Sequence, residues 1–160
     1  MERFLRRGFT LIELLLVIGI IAILASIVII AINPNRQLGQ ARDAQRRSDV
    51  NTILNAVYQY AIDNNGNLPH PSITTTEKPI CQSNVPVATC TSSTGGLFLV
   101  SGGVWIGNLT GSYLLNIPKD PSIAITGTGT RYTIKKDVNN RITVKATGKE
   151  VSATEISVTR

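Results

Sequence analysis

Residues 6–32 read RRGFTLIELLLVIGIIAILASIVIIAI, and their composition is unlike that of the rest of the chain. Between Phe9 and Ile32 the only charged residue is Glu13. At a helical rise of ~1.5 Å per residue, about 24 residues extend roughly 36 Å, which is enough to cross a lipid bilayer. A helix of this length that is apolar on all faces is rarely the core helix of a soluble protein. The segment therefore predicts a membrane-spanning helix.

The short segment before this helix is basic. Arg3, Arg6 and Arg7 against Glu2 give a net charge of 3 − 1 = +2, so the formal charge of +6 for the chain falls to 6 − 2 = +4 without it. A secretory signal places small residues after its apolar core. Here Gly8 comes before the apolar run, so cleavage at this residue would keep the hydrophobic helix in the mature protein. We expect residues 1–8 to be a leader peptide.

The arginines do not decide on which side of the membrane the rest of the chain lies, because they flank the apolar run at both ends. Cys81 and Cys90 lie in a polar segment that contains proline, which favours a disulfide bond in an oxidising compartment over two free thiols. Such a bond would contribute roughly 2.5–3 kcal/mol in the chain-entropy model. The cysteine pair and the short leader predict that the C-terminal body lies outside the cytoplasm.

Residues 7–13, RGFTLIE, resemble the processing motif of type IV prepilins and type II secretion pseudopilins. The resemblance implies cleavage after Gly8, methylation of the new N-terminal Phe9, and a role in assembly for Glu13, the fifth mature residue. Phe9 and Glu13 would then set the register between subunits. The resemblance also implies four partners: a prepilin peptidase and methyltransferase, an inner-membrane assembly platform, membrane lipid before assembly, and identical subunits in a homopolymer.

A second helix is predicted after Asn33-Pro34, because proline removes a backbone donor and disfavours helix at the residue before it. The break fits a plain kink as well as a zone that loosens during assembly, which the resemblance implies, and Gly39 is a second weak point. From residue 37 to residue 63, apolar residues recur at three- and four-residue steps and predict an amphipathic helix. We expect its apolar face to comprise Leu38, Ala41, Val50, Ile53, Leu54, Val57 and Ala61, and its other faces Arg42, Asp43, Arg46, Arg47 and Asp49.

The remainder of the chain is predicted to form a small β-sheet after a loop-like segment, residues 71–96, in which Pro, Ser, Thr and Gly dominate. Alternation predicts a hairpin of residues 131–136 and 141–146 around a turn at 137–140. The residues of this hairpin that face the helix are expected to be Tyr132, Ile134, Ile142 and Val144. Further strand candidates are residues 97–101, 104–106 and 155–159, and residues 113–117 fit a strand or a helical turn.

These elements define an α+β fold, pilin-like under the resemblance, in which a long N-terminal hydrophobic helix packs on the small antiparallel β-sheet of a head. We expect three parts. They are a cleaved leader at residues 1–8, a transmembrane and polymerisation helix at residues 9–34, and an extracellular globular head at residues 35–160 that includes the amphipathic half of the helix.

Other candidate sites lie in the head. Four basic side chains fall on the hairpin face opposite the apolar one, which suits either a solvated outer face or a strip that contacts DNA or an acidic surface. They are Arg131, Lys135, Arg141 and Lys145. Residues 117–121, IPKDP, resemble a motif of major pseudopilins that often bind calcium in a later loop, but that loop here offers Asp137 without an acidic cluster, which favours a turn defined by proline. The sequence has no nucleophile elbow, phosphate loop or metal-ligand helix, so we expect no cofactor and no enzymatic activity.

The leading interpretation is a structural subunit of a type IV pilus, held in the cytoplasmic membrane as a precursor and then assembled into an extracellular filament. Two alternatives stay open. One is a pseudopilin of a type II secretion system, and the other is a minor pilin-like module that binds DNA or surfaces. Abundance discriminates a major subunit from a binding module, because a major subunit dominates a sheared filament preparation and a binding module is scarce in it.

Overall fold

The computed structural model describes residues 8–81, 92–94, 96–98, 102–122 and 129–160. The chain divides into two compact units, Met1–Leu38 and Gly39–Arg160. Helix α1 spans Leu11–Ile32 and helix α2 spans Pro34–Asp63. With a five-stranded sheet in the second unit, these helices confirm the predicted α+β class.

Helix α1 begins and ends where local sequence signals favour it. Thr10 has an extended conformation and caps the N-terminus through its side chain, as Ser and Thr commonly do. At the other end Asn33 takes a left-handed conformation with a φ of 47°, which asparagine tolerates better than most residues. Pro34 is then the first residue of α2, a position where its missing N–H costs nothing. The predicted break at Asn33-Pro34 is confirmed.

The second half of α2 carries the apolar face that the periodicity predicts. Its buried residues in the core of the head are Val50, Ile53, Leu54, Ala56 and Val57. The prediction is wrong before residue 50, where Leu38 and Ala41 are exposed and Asp43, Arg46 and Asp49 are buried. The reason is that polar groups from the C-terminal part of the head pack on this half of the helix.

The strands of the head are β1 Lys78–Cys81, β2 Ser92–Thr94, β3 Gly96–Phe98, β4 Val104–Trp105, β5 Gly129–Lys136, β6 Ile142–Ala146 and β7 Ser157–Thr159. Five of them form one sheet in the order β4–β1–β5–β6–β7, and β2 pairs with β3 separately. β1 runs parallel to β4, whereas the pairs β1–β5, β5–β6 and β6–β7 are antiparallel. The sheet is therefore mixed, since the β1–β4 pair is parallel, whereas an antiparallel sheet was expected.

Strand β1 lies inside the sheet, between β4 and β5, although residues 71–96 were expected to form a loop. Pro79 weakens the strand signal, since proline cannot donate a hydrogen bond to a ladder. A register shift between Pro79 and Cys81 on the side of β5 accommodates it. Ile80 and Cys81 are buried, and two apolar residues are too few to reveal an alternating pattern.

The β5–β6 hairpin is confirmed. Asp137 closes its turn, because Oδ1 accepts the backbone N–H groups of Asn139 and Arg141, both at 2.8 Å. The four residues predicted to face the helix are all buried: Tyr132, Ile134, Ile142 and Val144. The other strand candidates, at residues 97–101, 104–106 and 155–159, overlap β3, β4 and β7, with residues 99–101 outside the described ranges. Residues 113–117 form neither a strand nor a helix, although Leu114 makes an isolated β-bridge with Thr110.

Candidate functional site

The predicted cleavage bond lies just before α1, between Gly8 and Phe9. Both residues are exposed, and Phe9 is 84% exposed. A Cβ placed on Gly8 would meet nothing within 4 Å. The fold itself gives no steric reason for glycine at this position, which is consistent with a peptidase that must approach the backbone closely.

Glu13 has hydrogen-bond partners within its own helix. Its Oε2 accepts the backbone N–H and the hydroxyl of Thr10, each at 2.8 Å, and the Thr10 hydroxyl oxygen accepts the N–H of Glu13 at 3.3 Å. This reciprocal arrangement is a capping box, and its sequence signature is the Thr-x-x-Glu spacing of residues 10–13. The carboxylate therefore caps α1 before any second subunit is present, a role that the spacing indicates and that the family resemblance does not supply.

The surface of α1 is apolar on all sides. The structure describes α1 in full, and none of its residues is buried. Its large apolar side chains, from Leu11 to Ile32, belong to residues that are at least 50% exposed. By length and composition the helix can cross a membrane. An apolar surface of this extent indicates a partner outside the described part of the chain, either lipid or protein.

A buried ionic network lies on the first half of α2. Arg46 is 1% exposed, and its guanidinium donates to Asp43 Oδ1 at 2.7 Å and to both carboxylate oxygens of Asp120, at 2.8 and 2.9 Å. Ser122 and Glu150 also accept from Nη2 of Arg46. The bidentate contact with Asp120 is the strong, directional form of an Arg–carboxylate pair. Within the described residues, every buried side-chain nitrogen or oxygen has a hydrogen-bond partner.

Asp43 joins this network to residues 148–152, the segment after β6, which we name the strap. Its carboxylate accepts the backbone N–H groups of Glu150 at 3.1 Å and of Val151 and Ser152 at 2.8 Å. Burial acts to raise the pKa of Asp43, but these three hydrogen bonds and the neighbouring guanidinium outweigh burial and lower the pKa from 3.8 to about 2. One ionised carboxylate thus holds three consecutive residues of the strap.

Asp120 gives the IPKDP segment, residues 117–121, a structural role. Burial acts to raise the pKa of Asp120, but hydrogen bonds from Arg46 and Ser122 hold it below its ordinary value. The carboxylate is therefore ionised and committed to Arg46. Asp137, the acid of the later loop, is committed to the hairpin turn. In the described ranges, no group of three His, Cys, Asp or Glu side chains is placed to hold a metal ion.

The residues of the predicted basic strip lie on or beside the β5–β6 hairpin, and they are Arg131, Lys135, Arg141 and Lys145. Arg131 lies 3.7 Å from a carboxylate oxygen of Asp120. Arg141 lies 2.8 Å from Asp137, and Lys145 lies 2.8 Å from Glu155. Lys135 is partly buried on β5. Asp137 and Glu155 compensate the charges of Arg141 and Lys145, which weakens the attraction that this surface would exert on DNA phosphates.

The predicted disulfide involves one cysteine outside the described residues. Cys81 ends β1 and is buried. Cys90 belongs to residues 82–91, which the structure does not describe. The bond between Cys81 and Cys90 therefore stays a prediction.

Residues 3–31 match the model of a protein family described as the prokaryotic N-terminal methylation motif. The matched segment contains the predicted cleavage bond, the capping box and most of α1. The match supports a type IV pilin-like prepilin with a class III signal peptide, and it suggests a structural subunit rather than an enzyme. Neither the curated proteins nor the solved structures give a match to this chain.

Proposed function

We propose that this chain is a structural subunit of a type IV pilus, assembled from the membrane by packing of its N-terminal helix after leader cleavage. The observation that carries the proposal is the surface of α1, whose 22 residues follow a cleavage motif and include no buried residue. Apolar side chains are stable when lipid or another apolar surface covers them. The methylation motif favours α1 helices of further subunits as the final partner.

Assembly exchanges one apolar environment for another. In the precursor, lipid surrounds α1, and in the filament neighbouring copies of α1 replace the lipid. Because lipid tails are about as apolar as Leu and Ile side chains, this exchange yields little hydrophobic free energy. Close packing and a few polar contacts must therefore favour the filament and select the register of the incoming subunit.

Glu13 supplies the polar contact in this proposal. Before cleavage it caps its own helix through Thr10. Cleavage after Gly8 creates an α-amine on Phe9, and the amine of one subunit neutralises the carboxylate of its neighbour. An ionised carboxylate is costly in apolar surroundings, so only the axial position that brings amine and carboxylate together is favourable.

The precursor resides in the cytoplasmic membrane, where a prepilin peptidase and methyltransferase acts at Gly8 and Phe9 and an inner-membrane platform adds the subunit to the filament. The head then forms the outer surface of an extracellular pilus. The N-terminal motif and the candidate membrane helix support this location, and a Cys81–Cys90 disulfide would fit an oxidising exterior. A pseudopilin shares these features but forms a short periplasmic fibre, so the place of the filament discriminates the two.

The experiment is to produce Glu13→Ala as the sole subunit and to measure leader removal and filament yield in parallel. Intact-mass analysis should show that the variant and the unsubstituted chain both begin at Phe9 and carry one methyl group. The yield of sheared filaments should fall by about tenfold or more, as a loss of ~1.4 kcal/mol per docking step would produce. Ser26→Ala is the control, because the Ser26 hydroxyl donates only to its own helix, to Ile23 O at 2.7 Å.

Normal filament yield from Glu13→Ala would contradict the docking role of the carboxylate. Retention of Met1 on extracellular protein would contradict processing at Gly8. Filaments that contain this chain but stay in the periplasm would select the pseudopilin alternative.

A further inference from the structure

The two halves of α2 are attached to the head by different kinds of contact. From Val50 to Val57 the helix contributes apolar side chains to the core. In residues 39–49, which the structure describes in full, no buried residue has an apolar side chain. The buried residues of this half are Gly39, Asp43, Arg46 and Asp49. Hydrogen bonds and ion pairs therefore attach this half of the helix.

The strap provides most of these attachments. In addition to the three N–H groups that Asp43 accepts, Glu150 pairs with Arg42 at 2.9 Å and with Arg46 at 3.2 Å. Arg47, one helical turn after Asp43, donates to the hydroxyl of Ser152 at 3.1 Å. The hydrogen bonds and ion pairs between the strap and the helix thus come from Glu150, Val151 and Ser152.

Gly39 allows the strap to approach the helix. A Cβ at this position would lie 2.7 Å from Cγ2 of Val151 and 3.4 Å from Cβ of Glu150. Two carbon atoms cannot approach to 2.7 Å, so a side chain at Gly39 requires the Val151 side chain to move away from the helix. Gly39 has a low helix propensity, but its missing side chain leaves the space into which the strap packs.

We propose that the strap is a latch, and that residues 39–49 of α2 detach from the head as a unit when residues 150–152 leave Asp43 and the buried pair of Arg46 with Asp120 opens with them. The core residues from Val50 onward stay folded in this opening. Charged groups regain hydration when they leave the interior, whereas apolar groups do not, so this half opens at a lower free energy than the core. Asp49, whose Oδ2 accepts the hydroxyl of Tyr132 at 2.6 Å, marks the end of the segment that opens.

The opening would lengthen the chain that precedes the core. A helix rises ~1.5 Å per residue and an extended chain ~3.3 Å, so a released segment roughly doubles its length. In the filament that we propose, the head could then move away from the start of α2 under tension without losing its core. This use of the latch depends on the proposed function, but the latch itself is a property of the head.

The test is hydrogen exchange, measured by mass spectrometry, on the full chain in detergent micelles. Asp43→Asn should speed exchange about tenfold or more in residues 39–49 and in the strap, and change it less than about twofold in residues 50–57. Asp63→Asn is the matched control, since Asp63 is an exposed residue of the same helix. Its carboxylate accepts from Gln59 and from the Tyr113 hydroxyl, neither of which belongs to the strap. It should leave all three segments unchanged.

Gly39→Ala provides a second variant, which displaces Val151 without changing any charge. It should speed exchange in the strap and in residues 39–49 and leave residues 50–57 unchanged. It decides the question if the fluorescence of Trp105 shows that Asp43→Asn does not fold. Two results would overturn the latch, in a folded Asp43→Asn or in Gly39→Ala. One is uniformly faster exchange that includes residues 50–57, and the other is unchanged exchange in the strap or in residues 39–49. Because no filament is measured, these results are independent of those that test the proposed function.

Discussion

Helix α1 and the first half of α2, residues 39–49, follow each other in the chain but differ in what they expose and what they bury. Helix α1 exposes large apolar side chains and has no buried residue, although it is described in full. Residues 39–49 bury Asp43 and Arg46, which are 2% and 1% exposed. Residue type alone would predict the reverse, with the apolar helix inside and the charged helix at the surface.

The difference shows where each segment finds its partners. The charges of residues 39–49 are matched within the chain, by Asp120 and by the strap, so their burial is tolerated. The apolar side chains of α1 have no comparable partner among the described residues, which indicates that lipid or another protein covers them. Each surface therefore indicates its partner. Buried charges indicate oppositely charged groups within the chain, and exposed apolar side chains indicate an apolar partner outside it.

The largest effect is expected when the buried carboxylates lose their shared cation. Arg46→Met keeps a side chain of similar length without the charge. Among the described residues, Asp43 then retains only the N–H groups of the strap, and Asp120 retains only Ser122 and the more distant Arg131. Removing one partner of a buried ion pair typically costs about 3–5 kcal/mol of unfolding free energy. Denaturant unfolding of the full chain in detergent measures this loss, with the one tryptophan, Trp105 in β4, as the fluorescent probe.

Arg47→Met is the matched control for this prediction. Arg47 is the next residue along the helix, is exposed, and donates to the Ser152 hydroxyl at 3.1 Å. We expect its unfolding midpoint to stay close to that of the unsubstituted chain. Equal losses for the two variants would contradict the assignment of Arg46 as the centre of the attachment.

A smaller effect is expected from acid. The pKa of Asp43 falls from 3.8 to about 2 on folding, so its ionised form stabilises the head. This contribution is complete above pH 3.8 and is lost as the pH falls from 3.8 towards 2. Asp120 faces the same guanidinium of Arg46, and its lowered pKa adds to the loss in the same direction. The unfolding midpoint should be constant near neutral pH and decline below roughly pH 4.

Asp43→Asn tests the origin of this acid sensitivity. The variant should be less stable than the unsubstituted chain at neutral pH and should lose less stability on acidification, because the titrating carboxyl is absent. The residual decline would come from Asp120 and from exposed acids. An unchanged slope between pH 3.8 and about 2 would show that Asp43 does not carry the pH dependence.

The smallest effect is expected at an exposed ion pair. The Arg141 side chain is 60% exposed, and it pairs with Asp137 at 2.8 Å. Solvent and salt screen such pairs, and many contribute nothing measurable to stability. Arg141→Ala should therefore leave the unfolding midpoint nearly unchanged at physiological salt. A loss as large as that of Arg46→Met would contradict the distinction between buried and exposed charges.

Local patterns were enough to predict α1, the apolar half of α2 and the β5–β6 hairpin, because each depends on periodicity over a few residues. The roles of Gly8, Phe9 and Glu13 come from a short motif and stay predictions, whereas the capping box is visible in the structure and could be predicted from residues 10–13. The burial of Asp43 and Arg46 was not predictable in this way. Their partners Glu150 and Asp120 lie 107 and 74 residues away in the sequence, and no local pattern reports a contact at that distance.

Cryo-electron microscopy of filaments sheared from cells that produce this chain tests the central claim, that α1 is the polymerisation helix. The account predicts a filament whose core consists of α1 helices from neighbouring subunits, with the chain beginning at Phe9 and each Glu13 beside the Phe9 amine of a neighbour. The account would be contradicted if the chain were absent from the filaments and remained a membrane-anchored monomer. It would also be contradicted by filaments in which the heads make the contacts and α1 lies outside the core.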